Sequence, residues 1–486
     1  MVNYFRLTPV LCAALGAAVS FYCSGPLHPA WLLAVLFVMT AALCLFRTLA
    51  SFYTQSRRLQ LTAVYSAVLA CGFVLGICAA NAGRSSVNFG IPEEKIIALE
   101  GVLLEDPRII SGGSILVPLS LRKSAGAGGL RVSSYGEVTV FFPEDHALRL
   151  REFGRGTTVF IDGRLRYSQM GWTYGAESMH IVKPAPAIER MRTGVRLNLI
   201  SRFDGKSWGG LALALLLGIR DNLDTNLAAL YRNAGCSYIL ALSGMHLAVL
   251  AALIAFLLKK PLGLKAASIT GAAIICLYCF IVGPMPSLNR AAIMYLLGVL
   301  AVLGTFPKEP MSILSLSFLI QIVISPASGN SISFILSYLA LAGILVIGQP
   351  LYSLLTGKVP NFLLQSLSAS CGAFLVTAGV TAYVFGLVVP MGIVTGLALV
   401  PLTTVFMIGS MIWLALDMVS LSGFLSLPLS LLYRLMEKIV SIAGSVSGIN
   451  AARPSVILAL SIALSLLIAV LEYRRRAALL RLQPFS

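Results

Sequence analysis

Long apolar segments constrain this sequence more than any other feature. Those at residues 59–80, 361–385 and 455–472 are close to the ~20 residues that an α-helix needs to cross a bilayer. Only 11% of the residues are charged, whereas soluble domains have roughly 25%. The sequence therefore predicts a polytopic α-helical membrane protein, and its 486 residues leave room for about 12 spans besides one soluble domain.

Residues 83–206 differ from the rest of the chain, because apolar runs shorten there and charged residues become frequent. Short runs of β-forming residues alternate with turn signals such as Asp106-Pro107 and Gly112-Gly113. The runs lie at 96–104, 115–121, 137–142, 157–165 and 179–182. Five short strands predict an inserted small all-β domain of the OB type, for which a β-sandwich is an alternative.

Composition and charge divide the chain into five predicted regions. These are N-terminal membrane helices at 1–82, an OB-like β domain at 83–185, an amphipathic interfacial linker at 186–206, a membrane domain at 207–474 and a basic cytoplasmic tail at 475–486. Arg57 and Lys259 place their loops in the cytoplasm by the positive-inside rule. Residues 83–206 are then extracytoplasmic, and the C-terminus is cytoplasmic. The linker arginines are expected to lie at the membrane surface.

The predicted spans include several interrupted by proline or glycine. They lie near 7–23, 31–46, 59–80, 237–258, 266–282, 288–306, 311–325, 332–347, 361–385, 387–400, 402–419 and 455–472. Broken membrane helices are tolerated where their backbone is buried in protein or faces water. A transport path therefore fits these interruptions, and so do ordinary kinks in a helical bundle.

A small polar cluster, Ser243, Gly244 and His246, interrupts the apolar run from Ile239 to Leu258. An unpaired polar side chain inside a bilayer costs free energy unless it lines a cavity or finds a partner. Hydrogen bonds between helices explain the cluster equally well, and a nucleophile with its base is a third interpretation. No orienting acid is evident, so no catalytic residue is assigned. The predicted polar path consists of Arg220, Asp221, Ser243, Gly244, His246 and Arg290.

Basic and aromatic residues are interleaved in the predicted β domain. This pattern is typical of surfaces that bind single-stranded nucleic acid, although a solvated face of a β domain also fits. The candidate DNA-binding residues are Arg122, Lys123, Arg164, Arg166, Tyr167 and Trp172, with Tyr174 nearby. The four histidines of the sequence are scattered, so neither a metal site nor another cofactor is expected.

Three stretches of the membrane domain resemble the ComEC family, the inner-membrane channels of bacterial natural competence. They are 213–250 with Ser237-Tyr-Ile-Leu-Ala-Leu-Ser243-Gly244-Met-His246, then Gly283-Pro-Met-Pro286-Ser287-Leu-Asn-Arg290, and Ser333-Phe-Ile-Leu-Ser337-Tyr-Leu-Ala-Leu-Ala-Gly343. The β insert also matches the position of the OB-like domain in that family.

The resemblance implies a channel, not an enzyme, that takes up single-stranded DNA across the inner (cytoplasmic) membrane. Implied partners are single-stranded DNA, membrane lipids, a DNA receptor, a separate nuclease and a cytoplasmic helicase; a homo-oligomer is left open. Family members often carry a C-terminal metallo-β-lactamase-like nuclease domain, which is expected to be missing here because the sequence stops after its last span. A transporter of a small molecule or lipid on the same helical fold is the alternative, and an intramembrane serine hydrolase is the third.

Overall fold

The structure is a computed structural model that combines a large helical part with one small β domain. It describes residues 8–24, 55–83, 87–109, 114–126, 131–142, 154–168, 171–304, 309–357, 360–445, 448–450 and 453–481. The predicted span at 31–46 lies outside these residues, as does the end of the predicted basic tail.

The β domain contains all five predicted strands and two short ones that were not predicted. The strands are β1 (Ile96–Leu103), β2 (Arg108–Ile109), β3 (Ile115–Gly126), β4 (Arg131–Ser133), β5 (Glu137–Phe142), β6 (Thr158–Ser168) and β7 (Gly171–Lys183). β7 begins at Gly171 instead of residue 179, so Trp172 and Tyr174 lie in a strand and not in the predicted loop.

The strands of the β domain close on themselves. β1 pairs with both β3 and β6, β6 pairs with β7, and β3 pairs with β5, all antiparallel. β5 and β7 complete the ring in parallel, with Val140 opposite Tyr174. Alternate side chains point inward and fill the interior, where Leu99, Val117 and Ile161 are fully buried. Closure leaves no free edge among these five strands.

The helical part consists of 16 α-helices among the described residues, most of them apolar. They are Pro9–Ser24, Gln55–Gly83, Ala187–Phe203, Gly209–Leu217, Thr225–Asn233, Ser237–Leu240, Gly244–Val282, Pro286–Val302, Pro310–Ile324, Pro326–Gly329, Ile332–Gly343, Gln349–Leu355, Asn361–Phe385, Met391–Asp417, Gly423–Gly444 and Pro454–Arg481. A π-helical turn at Ile344–Gly348 joins two of them into the continuous helix Ile332–Leu355. The strands Leu387–Val388 and Ile449–Asn450 form a separate small pair.

Five helices among the described residues are long and apolar enough to cross a membrane. They are Gly244–Val282, Ile332–Leu355, Asn361–Phe385, Met391–Asp417 and Pro454–Glu472. Shorter apolar helices lie at Pro9–Cys23, Ala67–Ala82, Pro286–Val302 and Pro310–Ile324. The total of about 12 spans stays a prediction.

The segment Gly244–Val282 folds back on itself at Gly263, whose φ of 75° and ψ of 169° are not helical. Nearby Pro261 lacks the N–H group that a continuous helix would use. Ile254 contacts Gly271, since a β-carbon at position 271 would lie 3.4 Å from Ile254 Cγ2. Two arms of about 19 residues, each about 28 Å long, therefore lie side by side. We call this segment the helical hairpin.

Two predicted helix boundaries are wrong. The predicted spans 387–400 and 402–419 form one helix, Met391–Asp417, with Pro401 inside it. A proline is tolerated within a membrane helix because neighbouring groups can satisfy the freed backbone carbonyl. The predicted span 237–258 is interrupted at 241–243, since the short helix Ser237–Leu240 ends before the hairpin begins at Gly244.

The helix Ala187–Phe203, which we call the linker helix, holds the β domain against the hairpin. Arg192 is only 1% exposed and forms ion pairs with Asp106 and Glu189. Arg196 donates to the backbone carbonyl of Val282 and forms an ion pair with Asp106 at 3.4 Å. The prediction that the linker arginines lie at the membrane surface is therefore wrong for Arg192, because a buried guanidinium is stabilised by carboxylates of the protein itself.

Candidate functional site at the helix breaks

Interruptions of the helices meet at the open end of the helical hairpin. Gly218 ends the helix Gly209–Leu217 with a φ of 70°, a left-handed conformation that favours glycine. A β-carbon at position 218 would lie 2.6 Å from Met285 Cε and 3.6 Å from Leu242 Cβ. Gly218 therefore contacts both of the other interruptions, at 241–243 and at 283–285. We call these three interruptions the break junction.

Ser243 and His246 form a capping box at the start of the hairpin. The Ser243 Oγ accepts the N–H of Met245 at 3.3 Å, and His246 Nδ1 accepts the N–H of Ser243 at 3.1 Å. Both bonds satisfy backbone donors that the first turn of a helix leaves open. Ser243 therefore precedes the helix that contains His246, which corrects the prediction that both lie inside one span.

The same geometry argues against a nucleophile and its base. Ser243 Oγ lies 3.1 Å from His246 Nδ1, but Nδ1 already accepts a backbone N–H. The neutral imidazole consequently carries its proton on Nε2. Nε2 is buried and has no hydrogen-bond partner in the described part of the chain, so no carboxylate orients the ring as in a catalytic triad.

Arg290 lies beside Gly244, on the helix that follows the hairpin. It is 8% exposed, and its Nη1 donates to the backbone carbonyl of Ser337 at 2.5 Å. The guanidinium carbon stands 5.7 Å from the centre of the Tyr338 ring. A β-carbon at position 244 would lie 3.3 Å from Arg290 Nη2. Among the described residues Arg290 forms no ion pair, and its Nε has no hydrogen-bond partner.

A buried polar network continues from Arg290 through two residues that the sequence analysis missed. The Tyr338 hydroxyl donates to Gln321 Oε1 at 3.0 Å, and Gln321 Nε2 donates to the carbonyl of Pro286 at 3.0 Å. Gln321 is 2% exposed. A single amide in the apolar run 310–324 was the available signal, because polar residues inside membrane segments face protein or water.

Arg220 and Asp221 belong to a different group. Both are exposed in the loop that follows Gly218. Burial lowers the pKa of Arg196 in the linker helix, and the charges of Asp106 and Asp221 oppose that shift. Arg220 and Asp221 are thus exposed, whereas Ser243, Gly244, His246 and Arg290 lie together next to the break junction.

The family model described as Competence protein matches residues 215–476, which is more than half of the chain. The matched residues include the whole break junction and the buried network around Arg290. The chain belongs to the ComEC-type competence protein family. It is a membrane protein with a role in competence-related DNA uptake. No curated protein matches the sequence.

The β domain of this competence protein exposes one aromatic ring next to a half-buried one. Tyr167 is 73% exposed, and its ring meets that of Trp172 at 4.8 Å in an edge-to-face arrangement. Trp172 also packs against Phe89 at 5.4 Å. An exposed ring supported by neighbouring rings is a surface on which a nucleobase can stack.

Tyr174 does not belong to this surface, contrary to its grouping in the sequence analysis. It is fully buried in the β domain, and its hydroxyl donates to the carbonyl of Ile97 at 2.7 Å. Burial raises the pKa of this hydroxyl. Tyr174 is therefore a core residue.

The basic residues of the competence protein's β domain fall into two groups. Lys123 Nζ lies 3.8 Å from Glu100, and Arg164 Nε lies 3.4 Å from Glu177. Arg122 and Arg166 are exposed and form no ion pair with any residue that the structure describes. Arg122 and Arg166 are consequently the better placed for contact with phosphates.

Proposed function

We propose that this competence protein conducts one strand of DNA across the cytoplasmic membrane and that the strand passes the break junction. The proposal rests on one observation: three helix interruptions and the buried Arg290 lie close together inside the region that matches the family. In membrane proteins such backbone is tolerated where it is buried in protein or lines a path for water, and discontinuous helices often form substrate sites.

The position of the β domain supports an orientation for the hairpin. The linker helix binds the hairpin at Ile281 and Val282, next to the break junction. The opposite end of the hairpin carries Lys259, Lys260 and Lys265, which the positive-inside rule assigns to the cytoplasm. We infer that the break junction lies on the outer side, directly below the β domain, and that the strand enters there.

The closed order β1-β3-β5-β7-β6 supports an OB-type barrel, a fold whose surface and loops bind oligonucleotides. In the proposal the β domain receives the strand before it reaches the membrane. Tyr167 stacks on a base, while Arg122 and Arg166 contact phosphates. A DNA receptor would act before this step. A separate nuclease would act on the outer side of the membrane, and a helicase would act on the cytoplasmic side.

Uptake of labelled DNA tests the proposal in a strain that lacks this protein. The wild-type chain should restore a pool of label that external nuclease cannot digest. Gly244→Leu should abolish this pool at normal protein level, because the new side chain would displace Arg290 and Ala291. Gly298→Leu is the matched control, since nothing lies within 4 Å of a β-carbon there.

If the deletion strain imports DNA as well as the complemented strain does, the protein carries another substrate, such as a small molecule or lipid. A reporter that is active only outside the cytoplasm tests the orientation separately. Its fusion after residue 130 should be active, and its fusion after residue 262 should be silent.

A further inference from the structure

Two hydrogen-bond donors at the break junction are buried without a partner in the described part of the chain. They are Nε of Arg290 and Nε2 of His246, in side chains that are 8% and 1% exposed. Both atoms carry a proton, because Arg290 is always charged and because His246 uses Nδ1 as an acceptor. Buried polar groups in proteins normally have a hydrogen-bond partner. These donors therefore point to a ligand that accepts hydrogen bonds.

The positive charge of Arg290 has no negative partner among the described residues. No carboxylate among the described residues forms an ion pair with Arg290, whose only protein acceptor is the neutral carbonyl of Ser337. Arg290 Nη2 lies next to Gly244, the first residue of the hairpin helix. The side chains of Ser243 and His246 accept two N–H groups at this helix start, but the partial positive charge of the helix N-terminus still favours a nearby anion. The missing acceptor is therefore an anion.

We propose that the break junction binds a phosphodiester group of the entering DNA strand, between Arg290 and the start of the helical hairpin. This inference rests on the proposed function and names the part of the DNA that the junction recognises. Arg290 donates through Nε and Nη2, the forked geometry that suits two oxygens of one phosphate. His246 Nε2 supplies a further donor, and recognition of the backbone leaves uptake independent of base sequence.

The burial of both donors gives the site a second property. Arg290 and His246 are 8% and 1% exposed, so a phosphate reaches them only when the chain around them moves apart. The entering strand would supply the acceptors that stabilise the separated arrangement.

The competing explanation is that Arg290 only holds helices together through Ser337 and Tyr338. The two explanations differ in their effect on stability. A structural arginine would lower the melting temperature when replaced, whereas removal of a buried charge without a carboxylate partner leaves the melting temperature unchanged or raises it. Arg290→Gln therefore separates them. Arg434→Gln is the matched control, because Arg434 is exposed on another helix.

The experiment uses the full chain in nanodiscs of zwitterionic lipid. Binding of a labelled single-stranded oligonucleotide is compared with that of a methylphosphonate oligonucleotide, which has the same bases and no backbone charge. We expect Arg290→Gln to raise the Kd for the phosphodiester about tenfold or more, as for the loss of one charge-assisted contact, and Arg290→Lys to have a smaller effect. Arg434→Gln should bind like the wild type, and Arg290→Gln should melt at or above the wild-type temperature.

Equal Kd values for the wild type and Arg290→Gln would overturn the inference, and so would a lower melting temperature with unchanged phosphodiester preference. If phosphatidylglycerol in the nanodisc raises the melting temperature of the wild type but not of Arg290→Gln, and the oligonucleotide has no such effect, the phosphate belongs to a lipid and the DNA assignment is wrong. Failure of the proposed function is seen separately, as unchanged DNA uptake in the deletion strain.

Discussion

Among the described residues, the β domain and the helical part differ in whether their buried polar atoms have hydrogen-bond partners. In the β domain the buried Ser134 hydroxyl donates to the Phe89 carbonyl at 2.8 Å, and Ser124 contacts the same carbonyl. Within the described ranges, every buried side-chain oxygen or nitrogen without a partner lies outside that domain. These atoms belong to Thr193, Tyr231, His246, Arg290, Ser368, Thr403 and Ser410.

This difference indicates that the two parts bind ligands in different places, the β domain at its surface and the helical part in its interior. In the described part of the β domain every buried side-chain polar atom has a partner, so a ligand is expected at the surface, where Tyr167 is exposed. Among the described residues the helical part keeps several buried polar atoms without a partner, and two of them, on His246 and Arg290, lie next to the break junction. Stability is therefore expected to depend on the β-domain interior, and transport on the interior of the helical part.

The largest effect should come from the β-domain interior. Tyr174→Ala removes a fully buried ring and should destabilise the domain by about 3–5 kcal/mol. Tyr174→Phe removes only the hydroxyl, which donates to the Ile97 carbonyl at 2.7 Å and lies 3.4 Å from the Ile161 carbonyl, and should cost about 1 kcal/mol. Hydrogen exchange of strand amides in the full chain measures both. Unchanged protection in Tyr174→Ala would contradict the view that this interior holds the domain together.

The contact between the two parts should be the next most sensitive. Asp106→Asn leaves Arg192 and Arg196 without their shared carboxylate and should cost about 2–3 kcal/mol, since both guanidinium groups are largely buried. Faster proteolytic cleavage of the chain just N-terminal to the linker helix would report the weakening of this contact. Glu105→Gln is the control: its partner Arg108 is half exposed, and such surface pairs contribute about 0–1 kcal/mol. Equal effects of Asp106→Asn and Glu105→Gln would show that the ion pairs of Asp106 do not hold the two parts together.

Sequence patterns predicted the β domain better than the helical part. Short apolar runs bounded by charged and turn residues located 96–104 and 137–142: Lys95 and Asp106-Pro107 flank the first, and Gly136 and Pro143 flank the second. In the helical part apolar residues lie on both sides of the break at 241–243, so periodicity gives no boundary. Pro401 indicated a boundary that the surrounding helix does not have.

The candidate site was predicted by residue type and not by arrangement. Ser243, Gly244, His246 and Arg290 were selected because polar residues are rare in apolar runs, and they lie together at the break junction. Their pairing could not be derived, since Gly244 and Arg290 meet only through the fold of the hairpin. Asp221 was grouped with them by its nearness in sequence, but it is exposed in the loop that follows Gly218.

A smaller effect is expected at the helix cap of the break junction. Ser243→Ala removes the oxygen that accepts the Met245 N–H and should cost about 1 kcal/mol, while uptake per folded molecule stays near wild type. Ser331→Ala is the matched control, because Ser331 caps another helix through the Phe334 N–H. Thermal melting and the uptake assay measure the two quantities. Complete loss of function in correctly folded Ser243→Ala alone would revive the hydrolase interpretation.

The smallest effect on stability is expected at the β-domain surface. Tyr167→Ala should change the free energy of unfolding by less than about 0.5 kcal/mol, because the ring is 73% exposed. Binding of single-stranded DNA should nevertheless weaken about tenfold, since stacking contributes about 1–3 kcal/mol per base. Titration with a labelled oligonucleotide at low and moderate salt measures the change. If Tyr167→Ala binds as tightly as the wild type, the strand does not use this surface.

The π-helical turn at Ile344–Gly348 lies inside the long helix Ile332–Leu355. It sets the direction in which the side chains after the turn point, relative to those before it. Each residue added to a helix rotates all later residues about the helix axis by about 100°. Before the turn, Ser337 and Tyr338 face Arg290; after it, Ser353 donates to Glu472 at 2.8 Å. Gly343 and Gly348 enclose the turn and leave room for the neighbouring helix Asn361–Phe385, whose backbone a β-carbon on either glycine would meet. The extra residue in the turn therefore rotates Ser353 by about 100° relative to Ser337 and Tyr338, compared with a regular α-helix.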